Sequence, residues 1–147
     1  MTMPMTSIAF HFNAPDRLAY ACRLLRKAAS NGAKVVVIGA PETLDQLDTA
    51  LWSFSPADFV PHCLLADDAM LVAASPVILA TSTESAPHQE VLLNLGHPVP
   101  NGFEKFERVI EIVTLDDEDR QLARNRWKHY VDSGYTMSRH DLALMVS

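Results

Sequence analysis

Val35-Val36-Val37-Ile38-Gly39-Ala40-Pro41-Glu42 is the stretch that decides the fold. Four β-branched residues in a row fit a strand buried on both faces, because neighbouring strand side chains point to opposite sides of a sheet. Gly39 closes the run and Pro41 suits the first turn of a helix. Leu44, Leu47 and Leu51 then recur at helical spacing, and Trp52 is assigned to the same buried side. Upstream, Ile8-Ala9-Phe10-His11-Phe12 predicts a strand, and Asn13-Ala14-Pro15-Asp16 a turn and helix start. Leu18, Cys22 and Leu25 give that helix an apolar side, and Asn31-Gly32 ends it. Strand, helix, strand, helix is the opening of a parallel α/β sheet.

Downstream the pattern loosens. Ser55-Pro56-Ala57-Asp58 breaks the second helix, and the proline in Phe59-Val60-Pro61-His62 makes that segment an edge strand or an ordered loop. Pro76 to Ala80 predicts a strand, Thr81 to Pro87 a turn, and Glu90 to Leu95 a further strand before the Gly96–Gly102 loop. Phe103 to Glu107 fits a short helix and Arg108 to Val113 the last strand, after which a late helix closes the fold. No internal repeat and no long linker divides the chain. The expectation is one domain over 1–147, three layers around a mainly parallel sheet, with 1–6 and about 138–147 as flexible ends.

The 147 residues are 48% hydrophobic and 20% charged, an ordinary globular balance. Nothing approaches eighteen consecutive apolar residues, and the N-terminal stretch lacks the basic, apolar and small-residue succession of a signal peptide, so a cytoplasmic protein with no membrane contact is expected. Two cysteines, Cys22 and Cys63, suggest no disulfide framework. The net charge of −6 disfavours bulk electrostatic binding of nucleic acid. Its distribution is more telling. From Val35 to Glu104 there is no Lys or Arg but nine acids, so the rest holds twelve bases against nine acids, a net +3. That asymmetry suggests a local anionic partner.

A Rossmann-like, nucleotide-binding sheet would carry a glycine-rich phosphate loop after its first strand. Here that position reads Asn13-Ala14-Pro15-Asp16, which offers no close backbone approach and an aspartate that repels phosphate. Gly39-Ala40-Pro41-Glu42 is equally poor, so no cofactor is expected. Six histidines share no short ligand spacing, and His62 and Cys63, adjacent on a strand, would point to opposite faces, so no metal site is expected either. No G-x-S-x-G elbow appears and Cys22 sits at core spacing, which leaves no catalytic constellation.

What stands out is Asp116-Asp117-Glu118-Asp119-Arg120-Gln121-Leu122-Ala123-Arg124-Asn125-Arg126-Trp127-Lys128-His129-Tyr130. Acids fill the first turn of this helix and bases follow, matching the helix dipole. Arg120, Arg124 and Lys128 recur every four residues as one stripe, with Trp127 on an adjacent flank. Cations beside a large flat apolar side chain suit an acidic peptide with an aromatic or carboxylate end.

Leu47-Asp48-Thr49-Ala50-Leu51-Trp52 with Phe59-Val60-Pro61-His62, and distally Gln121 to Tyr130 with Gly134, resemble the signatures of the chi subunit of bacterial DNA polymerase III. Length and element order agree over nearly the whole chain. The resemblance implies a non-catalytic accessory protein of the clamp-loader complex that pairs with the psi subunit and binds the acidic C-terminal tail of single-stranded-DNA-binding protein, which ends in phenylalanine. Nucleic acid would be met mainly indirectly. By position, Arg124 would take the tail's terminal carboxylate and Trp127, often tyrosine in the family, would wall the phenyl pocket. Lys128 and Arg120 would meet the tail's aspartates, and Phe59 would add apolar surface. Two other classes compete: a small nucleotide-dependent enzyme with a degenerate phosphate site, which requires measurable nucleotide binding, and a direct nucleic-acid binder, for which naked single strands would compete with the peptide.

Overall fold

A computed structural model describes residues 6–52, 62–64, 75–84, 86–96 and 98–143. Seven strands form one sheet: β1 Ser7–Ala14, β2 Val35–Ile38, β3 His62–Leu64, β4 Val77–Ala80, β5 Val91–Asn94, β6 Arg108–Thr114 and β7 Thr136–Asp141. Their order across the sheet is β3-β4-β2-β5-β6-β1-β7, and every pairing is parallel. Among the described residues the α-helices are α1 Arg17–Ser30, α2 Pro41–Trp52 and α3 Asp117–Asp132, and Phe103–Lys105 makes one 3₁₀ turn. The three-layer α/β architecture read from the sequence is the one found.

Alternation along the strands sorts the core into two clusters. Val35, Val37, Val77, Leu79, Val91, Leu93, Ile110 and Ile112 face α1 and α2, meeting Cys22, Leu25, Leu44, Leu47 and Leu51. Ile8, Phe10, Val36, Ile38, Ile78, Leu92, Val109 and Val113 face the other way, onto Phe103, Phe106 and the α3 residues Ala123 and Tyr130. β1 holds one extra residue against β6 between His11 and Ala14, where Asn13 takes the left-handed φ of 65°. That insertion reverses the alternation, so Ala14 joins the α1 side.

The helix boundaries follow local chemistry. Asp16 caps α1 by accepting from the Ala19 N–H at 3.0 Å, and Asp116 caps α3 by accepting from the Asp119 N–H at 3.0 Å. Two details depart from the sequence reading. Arg108–Thr114 is not the last strand: β7 follows α3, pairs with β1 and takes in 138–141 of the stretch expected to be a flexible end. As an edge strand it is largely exposed on both faces, so it lacks the apolar alternation that would announce it. Trp52 is not core but 61% exposed; at the end of α2 its ring lies edge-on to His62, 5.6 Å away, beside the other sheet edge. Phe59, Val60 and Pro61 lie outside the described residues, and only His62 of that segment is seen, opening β3 on that edge.

Candidate functional site

The late helix has two distinct sides. Asp119, Ala123, Arg126 and Tyr130 are buried. On this inner side the fully buried Glu111, from the middle of β6, meets Arg126 Nε at 3.0 Å, while the Tyr130 hydroxyl donates to its other oxygen at 2.7 Å. Asn94 Nδ2 donates to both carboxylate oxygens, at 3.1 and 3.0 Å. Burial pushes the Glu111 carboxyl above its ordinary range, against the pull of Arg126 and the donated hydrogen bonds. Burial, followed by the charge of Glu111, also pushes the Tyr130 phenol up.

At the helix start Asp119 accepts from the Thr114 N–H at 2.8 Å and its hydroxyl at 2.9 Å, and pairs with Arg17 of α1. Burial alone would raise its carboxyl, but the Thr114 N–H and Arg17 outweigh it and hold the group below the usual carboxylate range. Neither buried charge cluster was foreseen from the sequence, although a glutamate inside Ile110-Glu111-Ile112 is the signal that an inward charge needs a partner.

The other side of α3 forms a cleft of about 400 Å³ with the sheet. Arg120, Ala123, Arg124 and Trp127 line it from the helix, and Phe10 and Phe12 of β1, Val113 of β6 and Arg139 of β7 line it from the strands. The Phe10 and Trp127 rings meet edge to face, with centroids 5.1 Å apart and planes at 76°. Arg120 donates from Nη2 to Asn13 Oδ1 at 2.9 Å, and Asn13 donates to Asp141 Oδ1 at 2.8 Å, so this arginine is tied to the β1 and β7 ends. Arg124 is exposed, with no hydrogen bond or ion pair to the described residues. Among the described residues, three guanidiniums and five apolar side chains line the cleft, and no carboxylate does.

Of the residues singled out by sequence, Arg120, Arg124 and Trp127 come together here. Lys128 is exposed and does not line the cleft. The four-residue stripe drifts: at about 100° per residue, Lys128 lies roughly 80° around the helix from Arg120, while Trp127 lies within roughly 20° of it. Phe59 lies outside the described residues. Sequence reasoning missed Phe10, Phe12, Val113 and Arg139. Phe10 and Phe12 sit at alternate positions of a strand that the sequence did show, but nothing local says that α3 would cross them.

A larger cavity, about 1000 Å³, opens at the carboxyl ends of β2, β4 and β5, where open α/β sheets usually take ligands. A Cβ on its Gly39 would meet Leu95 Cβ at 3.4 Å, and one on its Gly96 would meet Asn94 Oδ1 at 3.4 Å, both ordinary van der Waals contacts. Among the described residues no three His, Cys, Asp or Glu side chains gather as a metal would need, and no helix is long and apolar enough to cross a membrane.

Fold and cleft together define a three-layer α/β protein with a groove lined by arginines and aromatic rings. The family profile of "DNA polymerase III chi subunit, HolC" matches residues 5–138. The chain is similar to the DNA polymerase III subunit chi of Pseudomonas aeruginosa, with 36% identity over 127 residues, 86% of this chain and 87% of that protein. It is 26% identical to the Haemophilus influenzae subunit chi over 124 residues, covering 83% and 85% of the two chains. Identity to the Escherichia coli subunit chi is 27% over 119 residues, 80% of each. The protein belongs to the DNA polymerase III chi subunit family, and thus to DNA replication.

Proposed function

We propose that this protein is a non-catalytic adaptor of the polymerase III holoenzyme, in which the α3 cleft docks the acidic C-terminal tail of single-stranded-DNA-binding protein. The observation that carries the reading is the cleft itself, whose lining combines Arg120, Arg124 and Arg139 with Phe10, Phe12 and Trp127 and, among the described residues, includes no acid. Arg124 takes the tail's terminal carboxylate, since a guanidinium with its donors uncommitted matches a carboxylate two-pronged. Trp127 walls the terminal phenyl ring. Arg120 and, from outside the cleft, Lys128 meet the tail's aspartates. Pairing with psi, which would tether the protein to the clamp loader, rests on the family resemblance. Two individually weak attachments made through one adaptor raise the effective concentration of each partner for the other.

The test is a titration of a labelled acidic peptide ending in Phe, followed by fluorescence anisotropy. Wild type binds in a salt-sensitive manner, and Arg124→Ala weakens binding by about tenfold or more, the usual worth of a charged hydrogen-bond pair. Amidating the peptide's terminal carboxylate produces a similar loss. Unchanged affinity for the amidated peptide would refute the role given to Arg124.

A further inference from the structure

We infer that Arg139 of β7 is a specificity-determining residue of the cleft, stacking its guanidinium on the terminal aromatic ring of the docked peptide and selecting for a flat side chain there. The inference rests on the tail-docking reading and adds a division of labour among the three arginines. Arg139 lies beyond the span 5–138 that matches the family, so the resemblance assigns it nothing.

Position comes from the sheet. In the β1–β7 ladder Arg139 pairs with Phe10, and the parallel register carries it onto the face that bears Phe10 and Phe12. Its Cζ lies 5.3 Å from the Phe12 ring centroid and 6.0 Å from that of Trp127, both within the reach of a cation–π contact. One guanidinium thus bridges the two aromatic walls of the cleft, while Phe10 holds the indole edge to face.

The other two cations are disposed differently. Arg120 is committed to Asn13, and Arg124 stands free of hydrogen bonds and ion pairs with the described residues, as a carboxylate receptor should. Arg139 is the cation whose charge already lies over rings, so a further ring entering against Trp127 or Phe12 comes within its range. Lysine cannot substitute, because stacking needs the planar, weakly hydrated guanidinium.

The experiment compares two labelled acidic peptides, identical except for a terminal Phe or Leu, on wild type, Arg139→Ala, Arg139→Lys and Arg124→Ala. Arg139 is exposed, and matching thermal melts would verify that its variants fold. Wild type is expected to favour Phe by about two- to fivefold, the range of an exposed cation–π contact. Arg139→Ala brings the Phe-to-Leu ratio close to one, and Arg139→Lys leaves it there. Arg124→Ala weakens both peptides while keeping the ratio. A ratio unchanged by Arg139→Ala, or restored by lysine, overturns the inference and leaves tail docking standing. If wild type binds neither peptide, the tail-docking reading falls and takes this inference with it.

Discussion

Replacing Glu111 by leucine tests whether the buried charge cluster is what fastens α3, and with it the cleft, to the sheet. Glu111 is 0% and Arg126 4% exposed, so neither charge reaches bulk water. Both carboxylate oxygens act only as acceptors, from Arg126, Tyr130 and Asn94. Leucine would leave the guanidinium buried without its carboxylate, and breaking a buried pair from one side costs about 3–5 kcal/mol. At roughly 2–4 °C per kcal/mol for a chain of this size, the thermal midpoint should fall by about 6–20 °C. Removing both charges is a different perturbation: Glu111→Leu with Arg126→Met takes out both members of the pair, and such replacements are commonly neutral or stabilising by about 1–4 kcal/mol. Against that, the buried Tyr130 hydroxyl loses its acceptor, at about 1–3 kcal/mol. Calorimetric melts at pH 7 should therefore rank the double variant above Glu111→Leu. Peptide affinity in the double variant should be retained, because neither Glu111 nor Arg126 lines the cleft. A double variant no more stable than Glu111→Leu, or a single variant within about 1 kcal/mol of wild type, would refute the reasoning.

Burial, then the neighbouring His140 and Arg108, lower His11 from 6.5 to about 4. The native state thus prefers the neutral ring, and its contribution is complete above pH 6.5 and is lost as the pH falls from 6.5 through 4. Thermal midpoints measured across that window should fall less in His11→Phe than in wild type. Asp119, also held below its ordinary range, contributes stability that is present above the unfolded carboxylate pKa and is lost as the pH falls through the lower folded value, so Asp119→Asn should flatten the acid limb of the melting curve in that lower window. Gly102 and Gly134 share the left-handed φ, at 83° and 85°, but a Cβ on Gly102 would lie 2.5 Å from Thr83 Oγ1 while Gly134 has nothing within 4 Å. Gly134→Ala should cost about 1 kcal/mol in urea unfolding, and Gly102→Ala measurably more.

The elements that the sequence made legible are those whose surroundings impose a local period. β2 is buried on both faces and so is apolar throughout, and α1 and α2 bury one stripe each. α3 was legible from its acids, its bases and its cap. β7 was not, because an exposed edge strand needs no apolar face, and Thr136-Met137-Ser138-Arg139-His140-Asp141 could equally be a loop. Trp52 was misread because one position at a helix end, roughly 100° around from Leu51, leaves the buried stripe. Half of the cleft was hidden for a related reason. Arg120, Arg124 and Trp127 share one helix and their spacing is local, whereas Arg139 reaches them only through the β1–β7 register, which no spacing within the chain encodes.

A net charge of −6 weighs against the proposed docking of an acidic tail. Two features of the fold remove the conflict. At physiological salt, exposed charges beyond about 8 Å are largely screened, so the charges at the cleft count most, and among the described residues its lining holds three arginines and no carboxylate. The nearest buried acids on α3 and β6 are matched, Asp119 by Arg17 and Glu111 by Arg126. Beyond the screening length the overall charge still disfavours approach, so steering cannot supply a fast encounter with an acidic partner. A groove of this kind depends on short-range contacts and on being held near its target, which suits a subunit embedded in a larger assembly better than one that must find its tail by diffusion.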